Sequence, residues 1–423
     1  MTTFRFIHTA DIHLDSPLKG LAGYDGPAAE SIRTATRQAF DNLITEAITQ
    51  DVAFVIIAGD LYDGDWRDYQ TGLFFARQMG RLAKAGIPAF VLHGNHDAES
   101  QITKRLILPD SVKVFSSRKC ETFTLPELGV ALHGLSFRQR DISDNLVPSY
   151  PEPLAGSFNI GVLHTGLGGV VGHENYAPCA LDELVAKGYR YWALGHVHSA
   201  AILHESPHIV FSGNLQGRHI RETSAKSAWL VSVRDHEVED LSPLYADVVR
   251  WSHLKISVQD CARYIDALDR LRNAIEQEVF KADKRLVACR IELTGRSEAH
   301  ESLVSSQQHL LAEARAAALA CGDDAAWIER VVVSTEPSLD PAILAAREDA
   351  LGDLFRVLDN ASTDSDLLGQ LETDIGDLVR KLPSEIRSDG YDALLNAAVR
   401  NDYAGVIAGV RGYLNVRLAD RRE

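Results

Sequence analysis

The chain is short of most markers that settle a protein's class at once. Its five cysteines, Cys120, Cys179, Cys261, Cys289 and Cys321, are odd in number, scattered and never spaced as CxxC. That argues against a disulfide framework and against a zinc ribbon, and reduced, buried thiols are expected. A run of about 18 apolar residues is absent, and "MTTFRFIHTA" has neither the charged nor the apolar region of a signal peptide. The expectation is a cytoplasmic protein with no membrane association. There is no GxxxxGKS/T sequence, so any dependence on ATP has to come from a partner. A basic surplus is also missing: the formal net charge is −16, with −7 in residues 1–250 and −9 in residues 251–423. A protein that bound nucleic acid by charge alone would show the opposite balance.

What is present is an ordinary globular composition, 45% hydrophobic and 24% charged. A length of 423 residues exceeds the usual single domain of about 100 to 200, so two or three domains are expected. Short apolar runs alternate with helical patterns at first: "FRFIHTA", a helix over roughly 28–50, "VAFVIIAGD", a helix over roughly 67–85, then "IPAFVLHGN". This alternation indicates α/β. Beyond about residue 112 strands dominate, interrupted by one convincing helix, "ALDELVAKG", and "LSPLYADVVR" (241–250) is the expected exit strand and boundary. From 251 the order becomes βαβαβ, and from about 340 to 420 the pattern is almost entirely helical. The expected organisation is a catalytic domain over 1–250, a smaller α/β domain over 251–337 and a helical docking region over 338–423. Thirteen of the sixteen histidines lie in the first 250 residues, so chemistry is expected there.

Apolar strands in that part end repeatedly in polar bursts. "IHTADIHLD" gives Asp11 and His13, "VIIAGDLYD" gives Asp60 and Asp63, "VLHGNHD" gives Asn95, His96 and Asp97, "GVLHTG" gives His164, and "YRYWALGHVHSA" gives His196 and His198. Singly, each has a plain structural explanation: a turn with a surface histidine, a satisfied core histidine, or a Gly-Asn turn. Five in succession are hard to explain that way. In open α/β sheets ligands sit beyond the carboxyl ends of the strands, so the five endings should converge on one edge. Carboxylate, amide and imidazole together suit a two-metal site that clamps a phosphoryl group. Only a carboxylate readily gives one oxygen to each ion, which makes Asp60 the candidate bridge. Residues two apart on a strand share a face, so His196 and His198 can serve neighbouring ions. Gly195 is expected to allow a close backbone approach at that point.

The order DxH, GDxxD, GNHD, H, GHxH resembles the calcineurin-like metallophosphoesterases. "FIHTADIHLDSPL" and "GDLYD" resemble the opening motifs of the nuclease branch containing Mre11 and bacterial SbcD, and "GHENYAPC" and "SGNLQGRHIRE" look like the YhaO-type proteins of that branch. The resemblance covers residues 4 to about 235. It implies a four-layer αββα sandwich, with a βαβαβ capping domain and a helical tail after it. It further implies that Asp11, His13, Asp60 and His198 hold one metal and Asp60, Asn95, His164 and His196 the other. His96 would then face the leaving oxygen and stabilise the transition state or donate the proton, with Asp97 orienting it. Two divalent ions are expected; no cysteine lies near a ligand motif, which favours an oxygen- and imidazole-tolerant ion, and manganese is usual in this branch.

The resemblance also implies a DNA phosphodiesterase, an exonuclease with or without endonuclease activity. It would work in DNA repair as a dimer beside an SbcC/Rad50-like coiled-coil ATPase that supplies the missing basic surface. A cyclic-nucleotide or other small-molecule phosphodiesterase is one alternative, although about 170 residues after the core have no obvious use there; a non-catalytic DNA-binding or scaffold protein is another, against which stands the presence of every ligand and of His96. Other residues stay open: His8 as a core residue or as the partner of a ligand, His93 where relatives often carry proline, and His173 as a loop beside the site or a turn. Arg218, His219 and Arg221 either touch a DNA backbone or belong to a solvated loop.

Overall fold

A computed structural model of the chain describes residues 2–16, 27–63, 69–98, 106–169, 176–338, 348, 350–361, 363–382, 393–407 and 409–410. The alternating part becomes β1 (Thr3–Thr9), α1 (Pro27–Thr49), β2 (Phe54–Ala58), α2 (Tyr69–Lys84), β3 (Ala89–Leu92), α3 (Asn95–Ala98) and β4 (Val112–Val114). β2, "FVIIA", is buried at all five positions, as a strand covered on both faces must be. Helix α2 buries Thr71, Phe74, Phe75, Gln78, Met79 and Leu82, spacings of three and four that put them on one stripe.

The strand-rich part supplies β5 (Glu121–Leu125), β6 (Val130–Gly134), β7 (Phe158–His164), α4 (Leu181–Ala186), β8 (Tyr191–Gly195), β9 (Ala201–Glu205), β10 (His208–Phe211), β11 (Ala228–Arg234) and β12 (Glu237–Leu244). One six-stranded sheet has the order β12-β11-β1-β2-β3-β4 and the other β5-β6-β7-β8-β10-β9. β1 to β4 run parallel in the first; β6, β7, β8 and β10 run parallel in the second.

The two sheets share one apolar layer, in which Phe4, Phe6, Phe54 and Phe90 meet Phe158, Ile160, Val162 and Tyr191. Phe6 and Phe54 stack with ring centres 4.9 Å apart. Outside the first sheet, Phe40, Leu43 and Ile44 of α1 and Phe75 and Met79 of α2 cover Ile7, Val55 and Ile57. Outside the second, Leu184 of α4 packs with Tyr150, Tyr189 and Trp192, and the Trp192 indole N–H donates to the Leu184 carbonyl at 3.0 Å. The result is the expected αββα sandwich. It brings the carboxyl ends of β1, β2, β3, β7 and β8 to one region.

After it come β13 (Val249–Ser257), α5 (Tyr264–Lys281), β14 (Leu286–Ser297), α6 (His300–Ser305), α7 (Gln307–Ala320) and β15 (Ala326–Pro337), with sheet order β13-β14-β15. Helices α8 (Ala350–Ala361), α9 (Ser365–Lys381) and α10 (Ala393–Val399) follow. Asp364 caps α9 by accepting from Asp366 N and Leu367 N at 3.0 and 3.1 Å. The chain divides into two compact units: Met1–His253 with Gln277–Cys289 and Leu319–Trp327, and Leu254–Glu276 with Arg290–Ala318 and Ile328–Glu423. Within the first, Leu286, Ala288 and Trp327 join Ala29, Ile32, Ala35 and Trp251 in one apolar cluster, so burial rather than chain order sets its limits. No disulfide joins the five cysteines, of which three are buried and two half-buried. Among the described residues no helix is long and apolar enough to cross a membrane.

Candidate metal centre

Three of the contributing strands, β1, β2 and β8, end in sharp turns. Asp11 and His13 after β1, Asp60 after β2 and His196 after β8 have φ values of 50°, 47°, 52° and 101°. Asp and His enter this left-handed region more readily than most residues. The turns are laced together: Asp11 N donates to Gly59 O at 3.0 Å, His13 N to Asp60 O at 3.1 Å, and His196 N to the two Asp11 oxygens at 3.1 and 2.9 Å. Such close approach needs glycine at two points. A Cβ on Gly195 would collide with Ala58 O, and one on Gly94 with the Asp60 carboxylate.

The turns gather the side chains into overlapping groups: Asp11, His13 and His198; Asp60, His164 and His196; and His13, Asp63 and His96. His198 Nε2 lies 3.9 Å from Asp11 Oδ1 and 3.2 Å from His13 Nε2. Asp60 Oδ2 lies 3.4 Å from His164 Nε2 and 4.0 Å from His13 Nε2, so it stands between the first two groups. Asn95 Oδ1 is 3.0 Å from His164 Nε2. Asp11, His13, Asp60, Asn95 and His164 are almost fully buried; the open side carries His96, Asp63 and His198, whose side chains are 28%, 21% and 19% exposed.

These donors fit divalent ions. His164 Nδ1 lies 3.0 Å from Ala58 O and donates to it, which leaves the Nε2 lone pair facing Asp60. Buried carboxylates and imidazole lone pairs converging at such distances repel one another unless protons or cations lie between them. Without a cation, protons do this work. Burial pushes Asp11 up to about 6, with the nearby Asp60 adding to the rise. Against burial, Asp60 lifts His164 to about 9; also against burial, His164, His13 and His96 hold Asp60 far below the usual carboxylate range. Divalent ions would take the place of those protons.

The orienting partner of His96 differs from the expected one. Asp63 Oδ1 lies 3.1 Å from His96 Nδ1 and, with Asp60, raises the His96 imidazole above its ordinary value despite burial. The Asp97 carboxylate instead accepts three backbone N–H groups, from Leu61 at 3.1 Å, Tyr62 at 2.9 Å and Gly94 at 3.0 Å. It fastens the two ligand loops to each other. The four-residue helix α3 is the reason, since it turns Asp97 inward while His96 faces the opening.

Several open residues now have places. His8 is buried, with Nδ1 3.0 Å from the Tyr191 hydroxyl and Nε2 3.2 Å from Leu194 O, a core role. His93 joins the loop through backbone bonds to Ser136 Oγ and Phe137 N. His173 lies outside the described residues. Arg218 is neither solvated nor free: its guanidinium lies 3.0 Å from Glu222 and 3.8 Å from Asp63. His219 is half exposed. Glu222, in the quoted "GRHIRE", is the residue that motif reading missed: its Oε1 lies 2.7 Å from His198 Nδ1.

Residues 4–200 match the calcineurin-like phosphoesterase family, and residues 251–336 match the middle domain of metallophosphoesterase YhaO. Residues 4–200 are thus similar to the calcineurin-like metallophosphoesterases, a hydrolase class built around a dinuclear metal centre. Within that class its likeness runs to the YhaO and Mre11 branch. It is 36% identical to the uncharacterised metallophosphoesterase YhaO of Bacillus subtilis over 242 residues, 56% of this chain and 59% of that protein. It is 27% identical to the DNA double-strand break repair protein Mre11 of Sulfurisphaera tokodaii over 213 residues, 48% of this chain and 51% of the other. With Mre11 of Methanopyrus kandleri it shares 27% over 215 residues, 46% and 44% of the two chains. The chain spans about half the length of the curated relatives it matches.

Proposed function

We propose that the protein is a two-metal-dependent DNA phosphodiesterase, an exonuclease with or without endonuclease activity. The observation that carries this reading is the place of Asp60, whose Oδ2 stands between His164 and His13 while the open side presents His96. Asp11, His13, Asp60 and His198 would hold one ion and Asp60, Asn95, His164 and His196 the other, with manganese the ion that the donor set and the branch favour. When bound, the pair supplies Lewis acidity and activates water for attack on phosphorus. His96, whose imidazole Asp63 raises above its ordinary value against the effect of burial, would give its proton to the leaving oxygen. The backbone N–H of His96 donates to Asp60 Oδ1 at 3.0 Å, which keeps donor and ligand in register.

DNA as substrate is supported by the likeness to proteins named for double-strand break repair. The net charge of −16 weighs against autonomous binding, because phosphate contacts need basic surface. We therefore place the chain in the cytoplasm as a dimeric nuclease subunit of a DNA repair complex, beside an SbcC/Rad50-like coiled-coil ATPase. Residues 251–337 would cap the DNA and 338–423 dock the partner.

The test is purified full-length protein, end-labelled linear DNA and manganese, with and without the ATPase, and Asp60→Asn as control. Metal-dependent cleavage lost in the variant is expected. Cleavage in neither tube sinks the nuclease reading, and fast hydrolysis of a cyclic nucleotide with intact DNA ends replaces it with a small-molecule phosphodiesterase.

A further inference from the structure

We propose that Glu222 is a positioning residue of the metal centre, holding His198 with its proton on Nδ1 so that Nε2 faces the ions. Arg218 ties that carboxylate to Asp63 and thereby to His96. The inference rests on the metal-centre reading above and deepens it.

Glu222 lies 24 residues after His198 on an irregular segment between β10 and β11, yet its carboxylate is 7% exposed and saturated with donors. Oε1 accepts from His198 Nδ1 at 2.7 Å and from Arg218 Nη2 at 3.0 Å. Oε2 accepts from Arg218 N at 2.8 Å, Asn214 Nδ2 at 3.0 Å and Arg218 Nε at 3.4 Å. Burying a carboxylate costs several kcal/mol unless its oxygens are matched in this way. The same segment also holds the His198 backbone, whose carbonyl accepts from Asn214 N at 3.3 Å and Lys226 Nζ at 3.4 Å. The segment thus holds both the ring and the backbone of His198.

The chemical consequence follows from what a carboxylate can do. Paired with Arg218 and two further N–H donors, Glu222 is an acceptor only, so the hydrogen in the 2.7 Å contact belongs to His198 Nδ1. That leaves the lone pair on Nε2, the atom 3.9 Å from Asp11 Oδ1 and 3.2 Å from His13 Nε2. An imidazole fixed in this way is held in one orientation and one tautomer, and loss of such a partner costs about 10- to 100-fold in metal affinity.

Arg218 extends the effect across the opening. Nη1 lies 3.4 Å from Ser16 Oγ and 3.8 Å from Asp63 Oδ2, while Ser16 Oγ donates to Asp63 Oδ2 at 2.6 Å. Its side chain is 13% exposed, and its charge is shared between two carboxylates. One guanidinium therefore braces the residue that aims a metal ligand and the residue that aims the proton donor.

The experiment uses the full chain with Glu222→Gln, Glu222→Ala and Glu222→Asp. Manganese titration by calorimetry is expected to show two ions in the wild type. In Glu222→Gln and Glu222→Ala, one site is weakened about 10- to 100-fold and the other unchanged, with partial rescue by Glu222→Asp. In metal-free protein, nitrogen NMR of the His198 ring is expected to show Nδ1 protonated in the wild type and the preference lost in Glu222→Ala. Unchanged titrations together with an unchanged ring tautomer in both variants overturn the inference. A wild type that binds no manganese overturns the metal-centre reading instead, and the tautomer measurement then still decides the role of Glu222. Should Glu222→Ala fail to fold, Glu222→Gln carries the same comparison.

Discussion

Asp60 accepts the backbone N–H of His96 at 3.0 Å through Oδ1, so the carboxylate proposed to bridge two ions also fixes the residue proposed to deliver the proton. Substitution by asparagine keeps an acceptor for that N–H and removes the charge. Asp60→Asn should fold, lose paired manganese binding in a calorimetric titration, and cleave a phosphodiester about 1,000-fold more slowly, equivalent to about 4 kcal/mol of transition-state stabilisation. Two manganese ions bound with wild-type affinity would count against Asp60 as the bridge.

Asp63→Asn tests the other half of the pair. The variant should keep both ions, because it removes the partner of His96 Nδ1 and leaves the proposed ligands in place. Phosphodiester cleavage should show kcat lowered about 100-fold, the scale of one general acid, with KM little changed. A rise in KM at constant kcat would assign Asp63 to binding instead.

Asp97→Ala should act on stability before chemistry. Three buried N–H groups lose their acceptor, at about 1 to 3 kcal/mol each before water relieves some of them. Denaturant unfolding of metal-free protein should show a loss of about 3 kcal/mol, whereas His96→Ala, on the exposed side, should change it little. Equal stabilities would contradict the fastening role.

His8 gives a pH dependence remote from the open side. Burial pulls its imidazole from 6.5 down to about 3, so the folded protein keeps it neutral where the unfolded chain protonates it. Between pH 6.5 and 3 the unfolded state binds the extra proton. The stabilising contribution is complete above 6.5 and is lost as pH falls toward 3. His8→Gln removes the titration, and from pH 6.5 to 5 the wild type should lose about 2 kcal/mol more than the variant in urea unfolding with chelator present. Parallel pH profiles would show that His8 is not the group responsible.

The strand-end bursts were legible because a carboxyl end with Asp, His or Asn is a local pattern, and the parallel order of β1, β2 and β3 brings such ends together. The α/β alternation was legible from apolar runs and helical stripes, and the αββα layers only through the family resemblance that the strand-end motifs carry. The exchange of Asp63 for Asp97 was not, because Asp97 is the sequence neighbour of His96 while Asp63 lies on a separate strand-end loop, and only the turn of α3 carries Asp97 inward and leaves His96 facing Asp63. Glu222 was invisible as a partner of His198, since no period connects residues 24 apart across an irregular segment. The grouping of Leu286 and Trp327 with Ala29 and Trp251 depends on distant apolar faces meeting, which chain order does not encode.

Asp11, His13, Asp60 and His196 all occupy positive φ, where asparagine is at ease and alanine is not. An alanine at any of the four removes a proposed ligand and also strains the turn that aims its neighbours, so its phenotype mixes two losses. Asparagine isolates the chemistry, and the difference between the two variants at one position measures how far the backbone, before any ion arrives, has already shaped the cage.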